Sequence, residues 1–192
     1  FNRVNVNVDF YHKKTTNILM YVPTSYAITG EGYRWENIGA MMNRGVEVAV
    51  DGNVIHTKDF TWNLSANFSY NKNKLLELYN GVEEYVNSTT GLKYMVGHSV
   101  TEYFLNRYAG VNPANGDALW YTADGELTTE FREDDKVMTG KTYESPWAGG
   151  FGTTFIWKGI SLSAQFSWMA KRYVMNNDRF FEESNGIYST YN

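Results

Sequence analysis

The stretch FTWNLSANFSYN, residues 60–71, alternates without interruption between apolar or aromatic side chains and small polar ones. Because successive side chains of a β-strand point to opposite faces, this pattern predicts one strand with an apolar face and a polar face. The stretch alone leaves open which face points inward. In a soluble sandwich the apolar face packs into the core, whereas in a membrane barrel it faces lipid and the polar face lines a lumen.

The composition favours a β-protein. The chain has 192 residues, enough for one domain, with 17% aromatic residues and only 3 prolines. A net charge of −4 argues against nucleic-acid binding, and the lack of cysteine excludes disulfides and thiolate metal sites. No apolar run is long enough for a transmembrane helix, but a transmembrane barrel stays open because its strands give a weak signal. The chain starts at Phe1 without a targeting segment, and we expect it to be part of a longer protein.

Period-two alternation recurs along the chain and predicts further strands. The pair Asp51-Gly52 is a common hairpin turn, but the alternation runs straight through it, so we expect a strand glycine or a bulge there. On the same strand, Ile55 is expected to lie opposite the valine face. The predicted strands are 3–20, 44–56, 60–73, 148–157 and 160–171.

Two tight turns and three long irregular segments connect these strands. In the HTKD turn, His56 and Phe60 are expected to pair on one face, and Lys158-Gly159 forms a two-residue turn. Short turns on one side and long loops on the other are typical of outer-membrane barrels, whose short turns are periplasmic and whose long loops are extracellular. Loops of this length are uncommon in compact soluble domains unless they are functional. The predicted loops are 21–43, 74–146 and 172–192.

Aromatic residues occur toward the ends of the predicted strands, with smaller Leu64, Ala66 and Ala164 between them. Trp62 and Tyr70 lie about 26 Å apart along a strand. At a tilt of about 40° this projects to about 20 Å, close to the ~25 Å apolar band of membrane barrels, which aromatic girdles flank. The spacing favours the lipid-facing arrangement. The candidate membrane-interface aromatics are Phe60, Trp62, Phe68, Tyr70, Trp157 and Trp168.

In combination and order, four segments resemble the late barrel strands of SusC/RagA-type TonB-dependent outer-membrane transporters. The third segment fits a family pattern that ends in A-G-(V/I)-(D/N)-P-x-(T/N)-G-D. Asn17 and Asn112 stand where many relatives carry Asp. The segments are VNVDFYHKKTTNIL (6–19), NIGAMMNRGVEVAVDGNVIHTKDFTWNLSANFSYNKNKLLEL (37–78), VGHSVTEYFLNRYAGVNPANGDALWYTADGEL (96–127) and WAGGFGTTFIWKGISLSAQFSW (147–168).

This resemblance implies an all-β fold in which residues 1–192 form a partial domain, an antiparallel transmembrane β-barrel segment. The whole barrel would have 22 strands, long extracellular loops and a plug domain that is absent from this chain. The implied location is the bacterial outer membrane. The implied function is active import of oligosaccharides or oligopeptides, together with a SusD-like surface lipoprotein and a TonB complex that acts through parts outside this chain.

The resemblance also implies contacts with outer-membrane lipid and with the remainder of the same barrel, and neither a cofactor nor nucleic acid. Two other functions stay open from the residues themselves. In the first alternative, the chain is part of a passive porin or structural barrel. In the second, it is a soluble β-rich glycan-binding module.

The sequence offers little catalytic or metal-binding chemistry. The three histidines are far apart, and NPANGD (112–117) has oxygen ligands at crude calcium-loop spacing but is already a good turn. No motif supports an enzyme. Aromatic residues in the predicted loops are the best candidates, because flat rings stack on sugars and pack against peptide side chains. The candidates for substrate binding are Trp35, Tyr94, Tyr103, Tyr108, Trp120 and Tyr121, with Phe104 beside them.

Overall fold

The computed structural model describes residues 3–30, 32–37, 39–86 and 92–176, so the predicted loop 172–192 lies outside the described residues from 177 onward. A short helix, α1, spans Tyr26–Thr29. Among the described residues, no helix is long and apolar enough to cross a membrane. In chain order, the strands are β1 (Val4–Thr16), β2 (Leu19–Pro23), β3 (Tyr33–Asn37), β4 (Ala40–His56), β5 (Phe60–Glu77), β6 (Glu84–Val86), β7 (Lys93–Met95), β8 (Glu102–Leu105), β9 (Arg107–Val111), β10 (Ala118–Tyr121), β11 (Leu127–Thr128), β12 (Val137–Thr142), β13 (Trp147–Trp157) and β14 (Ile160–Ala170).

Five long strands form one antiparallel sheet in the order β1-β4-β5-β13-β14. The segments between them build four smaller sheets, which are β9-β10-β11, β8-β12, β2-β3 and β6-β7. The strand pairs within all of these sheets are antiparallel. The predicted all-β antiparallel architecture is therefore confirmed. Within the described residues the large sheet is open, with β1 and β14 at its edges.

Three of the long strands have ends that differ from the sequence prediction. β1 stops at Thr16 because Asn17 adopts a left-handed backbone conformation with φ 56°, and the chain leaves the sheet there. β4 begins earlier, at Ala40, and β5 continues to Glu77, since these two ends pair with each other. The sheet therefore reaches further at this end than the fading alternation indicated.

A β-bulge at Val54 changes the phase of β4 shortly before its turn. Asn53 pairs with Asn63, whereas Ile55 pairs with Trp62, so Val54 has no partner residue. The extra residue turns the following side chain to the other face. The expectation that Ile55 lies opposite the apolar face is therefore wrong, because Ile55 shares that face with Trp62.

The same bulge changes the pairing at the turn. His56 pairs with Thr61 and not with Phe60, and its Nδ1 lies 3.1 Å from Thr61 Oγ1. The turn is closed by Thr57, whose backbone N–H donates to the Phe60 carbonyl at 2.8 Å. The predicted His56–Phe60 pair is wrong by one residue, since the alternation was counted without the bulge.

The two tight turns lie side by side at one end of the sheet, which we name the turn end. Phe60 pairs with Trp157, and the Lys158 N–H donates to the Asp59 carbonyl at 3.0 Å. The connections that follow β1 and β5 leave from the opposite end, which we name the loop end. The long strands thus run between an end with short turns and an end with long loops, as the sequence pattern indicated.

On one face of the large sheet, which we name the aromatic face, apolar rows cross all five strands. A single row across the five strands holds Val8, Val48, Phe68, Gly149 and Trp168. A Cβ on Gly149 would lie 2.8 Å from Trp168 Cζ2, so the indole covers the position that the glycine leaves open. The opposite face, the polar face, carries the alternate residues of each strand.

Ring contacts on the aromatic face concentrate near both ends of the strands. Toward the turn end, Trp62 stacks on Phe155 with centroids 5.6 Å apart, and its Nε1–H donates to Thr153 Oγ1 at 2.9 Å. Toward the loop end, the rings of Tyr70 and Trp147 lie 4.2 Å apart. The indole and phenol groups are amphipathic, as side chains at a membrane interface are.

The middle of the aromatic face is not uniformly small. Phe151 pairs with Phe166, and their rings stack at 4.6 Å. Ala66 lies on the other side of Phe151. The expectation of small side chains at mid-strand describes Leu64, Ala66 and Ala164 but misses this phenylalanine pair.

The connections at the loop end fold over the polar face. Asn73 Oδ1 accepts hydrogen bonds from the Val100 N–H at 3.0 Å and from Ser99 Oγ at 3.2 Å, and the Leu75 N–H donates to the His98 carbonyl at 2.8 Å. Apolar burial is therefore found where the loops meet the strands and not in the middle of the sheet. The buried apolar side chains of the described residues are Val22, Ala40, Leu75 and Leu78.

Candidate functional site

The loops at the loop end form the candidate site, and the six aromatic candidates fall into three separate groups within it. Trp35 and Tyr94 belong to the first group, Tyr103 to the second, and Trp120 to the third. Tyr108 lies between the second and third groups, and Tyr121 is next to Trp120. They do not form one continuous platform.

The first group joins the β2-β3 hairpin to the β6-β7 hairpin. Tyr21 contacts Tyr33 at 5.3 Å and Trp35 at 5.1 Å, while Tyr85 stacks on its cross-strand partner Tyr94 at 6.4 Å. A cavity of about 320 Å³ lies between the two hairpins. Its walls are aliphatic and aromatic, and Trp35 is 65% exposed at its edge. Its lining residues are Ile18, Leu19, Met20, Tyr21, Trp35, Met41, Leu75, Tyr85, Tyr94 and Val100.

Tyr85 holds the two hairpins together by its hydroxyl group. The hydroxyl donates to the Tyr21 carbonyl at 2.9 Å. Burial first, and then the neighbouring tyrosines, raise the pKa of Tyr85 above its usual value. The phenol therefore stays protonated at neutral and mildly alkaline pH and remains a donor.

Replacing Tyr85 by phenylalanine is expected to loosen the β2-β3 hairpin without unfolding the sheet. One neutral hydrogen bond contributes about 1 kcal/mol, so amide exchange in 19–23 should accelerate about fivefold in hydrogen–deuterium exchange of the full-length protein. Tyr26→Phe is the control, because Tyr26 is 72% exposed. Equal exchange in both variants and the wild type would show that the hydroxyl does not hold the hairpin.

The second group surrounds a larger cavity of about 550 Å³ between β8, β9 and β12. Tyr103 packs edge-on against Tyr143 at 6.1 Å, and its hydroxyl donates to the Tyr173 carbonyl at 3.2 Å. Tyr108 lines the same cavity and is 56% exposed. One wall of this cavity therefore carries both aromatic rings and backbone hydrogen-bonding groups.

The third group is a T-shaped stack on the β9-β10-β11 sheet. Trp120 contacts Tyr108 at 5.2 Å and Phe131 at 5.1 Å. Next to it, the Arg107 guanidinium lies 5.5 Å from the centre of the Tyr121 ring. Phe104 is elsewhere, beneath the Lys93 ammonium at 4.5 Å. Trp120 and Tyr121 are therefore held by neighbours within the loops.

A polar junction that the sequence did not indicate anchors β8 and β12 to the end of β5. Glu102 is only 7% exposed, and its Oε1 accepts from the Gly140 N–H at 2.6 Å. Its Oε2 lies 3.1 Å from His98 Nδ1. A cavity of about 260 Å³ borders this junction. Glu102 and Gly140 are distant in sequence, so no local motif could have revealed their contact.

The candidate metal motifs do not form a metal centre. Within the described residues, no group of three or more His, Cys, Asp or Glu side chains is arranged to hold an ion. In NPANGD, Asn112 Oδ1 accepts from the Ala114 N–H at 3.0 Å, and Asn115 Nδ2 donates to Asp117 Oδ2 at 2.7 Å. These oxygens stabilise the turn itself.

The polar face below the loops carries a network of amide side chains. The Tyr11 hydroxyl donates to Asn71 Oδ1 at 3.0 Å, and Asn71 and Asn73 both donate to Asn43 Oδ1, at 3.3 Å and 3.0 Å. Such a wall of uncharged hydrogen-bonding groups suits a water-filled lumen that polar solutes cross.

Comparison with known proteins identifies this architecture. The family described as "TonB dependent receptor-like, beta-barrel" matches residues 1–192. A TonB-dependent receptor P39 of Formosa agariphila is 27% identical over 86% of this chain and 20% of its own length. The TonB-dependent receptor SusC of Bacteroides thetaiotaomicron is 30% identical over 61% of this chain and 13% of its own length.

Solved structures agree with the sequence relatives. The RagAB peptide importer in the open-open state superimposes with a TM-score of 0.89 and 33% identity over 97% of this chain and 21% of that one. The RagAB peptide transporter gives a TM-score of 0.85 at 33% identity over 95% of this chain. The chain spans about a fifth or less of the curated relatives it matches. The chain belongs to the TonB-dependent receptor β-barrel family, a family of outer-membrane proteins that are not enzymes, and its five-stranded sheet is a segment of that barrel.

Proposed function

We propose that the whole protein imports oligosaccharides or oligopeptides across the outer membrane, and that this chain supplies part of its barrel wall, lumen lining and loops. The observation that carries the proposal is the structural match along nearly the whole chain to a peptide importer. Family membership and the relative named SusC support the same activity.

The proposed orientation places the loop end outside the cell and the turn end in the periplasm. The aromatic face then contacts lipid and the polar face lines the lumen. Two features support this assignment, namely the loops that fold over the polar face and the aromatic contacts near both strand ends. The proposed interface residues are Phe60, Trp62, Phe68, Tyr70, Trp157 and Trp168.

We further propose that a SusD-like surface lipoprotein covers the loop end and that TonB supplies energy through parts of the protein outside this chain. The loop sheets offer a broad surface for such a lid. Their exposed rings, such as Tyr108 at 56% and Trp35 at 65%, are available to a solute or to a partner. The remainder of the same barrel pairs with the open edges of β1 and β14.

The test is uptake by cells that carry the full-length protein. Labelled oligopeptides and oligosaccharides should accumulate in a strain with the protein and not in a deletion strain. Accumulation should stop when TonB is deleted or the proton gradient is collapsed. Uptake that persists without TonB would establish a passive porin instead. An isolated barrel segment has open sheet edges and should not fold as a soluble monomer. A monomeric, cooperatively folding product from residues 1–192 in plain buffer would therefore favour a soluble module.

Within this proposal, Trp35→Ala should weaken substrate capture more than it affects assembly. Loss of one exposed stacking ring costs roughly 1 kcal/mol, so the half-saturation concentration for uptake should rise about fivefold while the amount of folded barrel stays the same. The control is Tyr26→Ala, an exposed aromatic outside the 320 Å³ cavity. Unchanged half-saturation in Trp35→Ala would remove this residue from the substrate path.

A further inference from the structure

A cluster of basic side chains lies on the aromatic face at the loop end. In the strand register, His12 is opposite Arg44, and Arg44 is opposite Lys72. One step further along the strands, Lys14 and Lys74 flank a single methionine, Met42. We name these five residues the basic patch: His12, Lys14, Arg44, Lys72 and Lys74.

The basic patch lies just beyond the apolar part of the aromatic face. The last apolar row across the sheet is Phe10, Val46, Tyr70 and Trp147. Its neighbouring row on the same face, two residues further along the strands, begins the patch. Two residues are about 7 Å along a strand, or about 5 Å along the membrane normal at a tilt of about 40°. The cations are therefore at head-group height if the aromatic face contacts lipid.

Among the described residues, no ion pair joins a carboxylate to the basic patch. The ion pairs of the described residues involve other basic side chains, at Arg34, Lys93, Arg132 and Lys136, and a His98–Glu102 contact. Acidic side chains of the same strands, such as Asp9 and Glu47, occupy the polar face, where they are directly opposite each other. Arg44 and Lys72 of the basic patch lie on directly opposed strand positions, where their like positive charges repel each other. An anion shared between the strands would relieve that repulsion.

The surface next to the basic patch is strongly apolar. Phe10 is 82% exposed, Val8 46% and Val6 62%, all on the same face of β1 and progressively further from the cations. The combined surface thus consists of basic side chains and, next to them on β1, a strip of exposed apolar side chains. A free phosphate ion would use only the first part, whereas a lipid with a phosphorylated head group would use both.

We propose that the basic patch binds the phosphate groups of membrane lipids, with their acyl chains lying over the exposed apolar strip of β1. The proposal rests on the lipid-facing orientation proposed above. Lysine and arginine at a membrane surface attract anionic head groups. Arg44 is paired with His12 on one side and with Lys72 on the other, and paired strands lie about 5 Å apart, within the ~8 Å screening length at physiological salt, so these neighbours act on one head group together. Lipid binding here would fix the position of the barrel along the membrane normal.

The experiment compares lipid retention by the purified full-length protein in detergent. Native mass spectrometry measures bound phosphatidic acid, which has a phosphate monoester head group, and phosphatidylcholine as the zwitterionic reference. In the variant Arg44→Gln/Lys72→Gln/Lys74→Gln, affinity for phosphatidic acid should fall about a hundredfold, from roughly fivefold for each cation. Binding of phosphatidylcholine should change little, and excess inorganic phosphate should not displace the lipid.

The matched control removes the same charge elsewhere, with Lys13→Gln/Lys136→Gln/Lys141→Gln. Lys13 lies on the polar face of β1, and the other two lie next to and within the loop strand β12. This control should retain phosphatidic acid like the wild type. Equal retention by both triple variants would overturn the proposal, as would displacement of the lipid by inorganic phosphate. Because lipid retention is measured without transport, failure here leaves the uptake experiment unaffected, and failure of uptake does not alter this result.

Discussion

Replacing Ala164 by arginine is expected to reduce the amount of assembled barrel severely. Ala164 lies near the middle of β14, on the aromatic face opposite Thr153. If that face contacts lipid, the guanidinium is placed near the bilayer midplane, where arginine costs about 2–4 kcal/mol. The urea midpoint of the full-length protein in lipid vesicles should fall accordingly, and the yield of heat-modifiable, folded protein in membranes should decrease with it.

The control for this prediction is the adjacent residue on the other face. Gln165→Arg introduces the same side chain one position along β14, at an exposed position on the polar face opposite Gly152. Arginine there reaches water in the lumen, so stability should stay close to that of the wild type. Equal losses in both variants would mean that the two faces do not differ in solvent, and a larger loss for Gln165→Arg would mean that the assignment of the faces is inverted.

Replacing Gly45 by valine should be as damaging, for a steric reason. A Cβ at Gly45 would lie 2.0 Å from the Tyr70 carbonyl oxygen and 2.6 Å from the Tyr11 hydroxyl. The backbone oxygen cannot move without separating β4 from β5. The Tyr11 side chain must also leave its 3.0 Å hydrogen bond to Asn71. Overpacking of this kind costs about 1–3 kcal/mol, measured as a lower urea midpoint of the full-length protein.

Ala49→Val provides the matched change for Gly45→Val. Ala49 lies four residues further along β4, on the same polar face, and is exposed. Added methyl groups there meet open space, and valine favours strands. The expected midpoint is that of the wild type or slightly higher. A Gly45→Val protein as stable as Ala49→Val would contradict the close approach of Tyr11 and Tyr70 to this glycine.

The strands of the large sheet were predictable because their signal is local. Alternation at 60–71 fixes which residues share a face, and the Lys158-Gly159 turn fixes the phase of the next strand. The pairing of Trp157 with Ile160 confirms that phase. Each of these inferences uses only neighbours in sequence and the geometry of a two-residue turn.

Features that depend on distant contacts were not predictable in this way. The bulge at Val54 is not visible in the sequence alternation, but it turns the side chains that follow it to the opposite face of the sheet. Extending the alternation through the bulge therefore placed Ile55 on the wrong face. Between residues 78 and 146 the strands have two to six residues, too few to show a period. The contact of Glu102 with Gly140 spans 38 positions. Only the folded loops bring such residues together.

The candidate site was likewise predictable only where its signal is local. Loop aromatics could be selected by residue type, and all six lie at the loop end. Their division into three groups could not be predicted, since it depends on how the small sheets pack. Tyr85 was missed as a candidate, although its hydroxyl joins two hairpins, because nothing in its sequence surroundings marks Tyr21 as its partner.

The central claim, that the apolar face of the sheet contacts lipid and the polar face contacts water, is tested most directly along residues 60–71. This chain contains no cysteine, so single cysteines can be introduced at each position in a full-length protein lacking any other. Labelling in membranes with a water-soluble maleimide should alternate, with positions 61, 63, 65, 67 and 69 reactive and positions 62, 64, 66 and 68 protected. Spin labels at the protected positions should be relaxed by oxygen dissolved in the lipid. The opposite phase, or uniform labelling along the strand, would contradict the account.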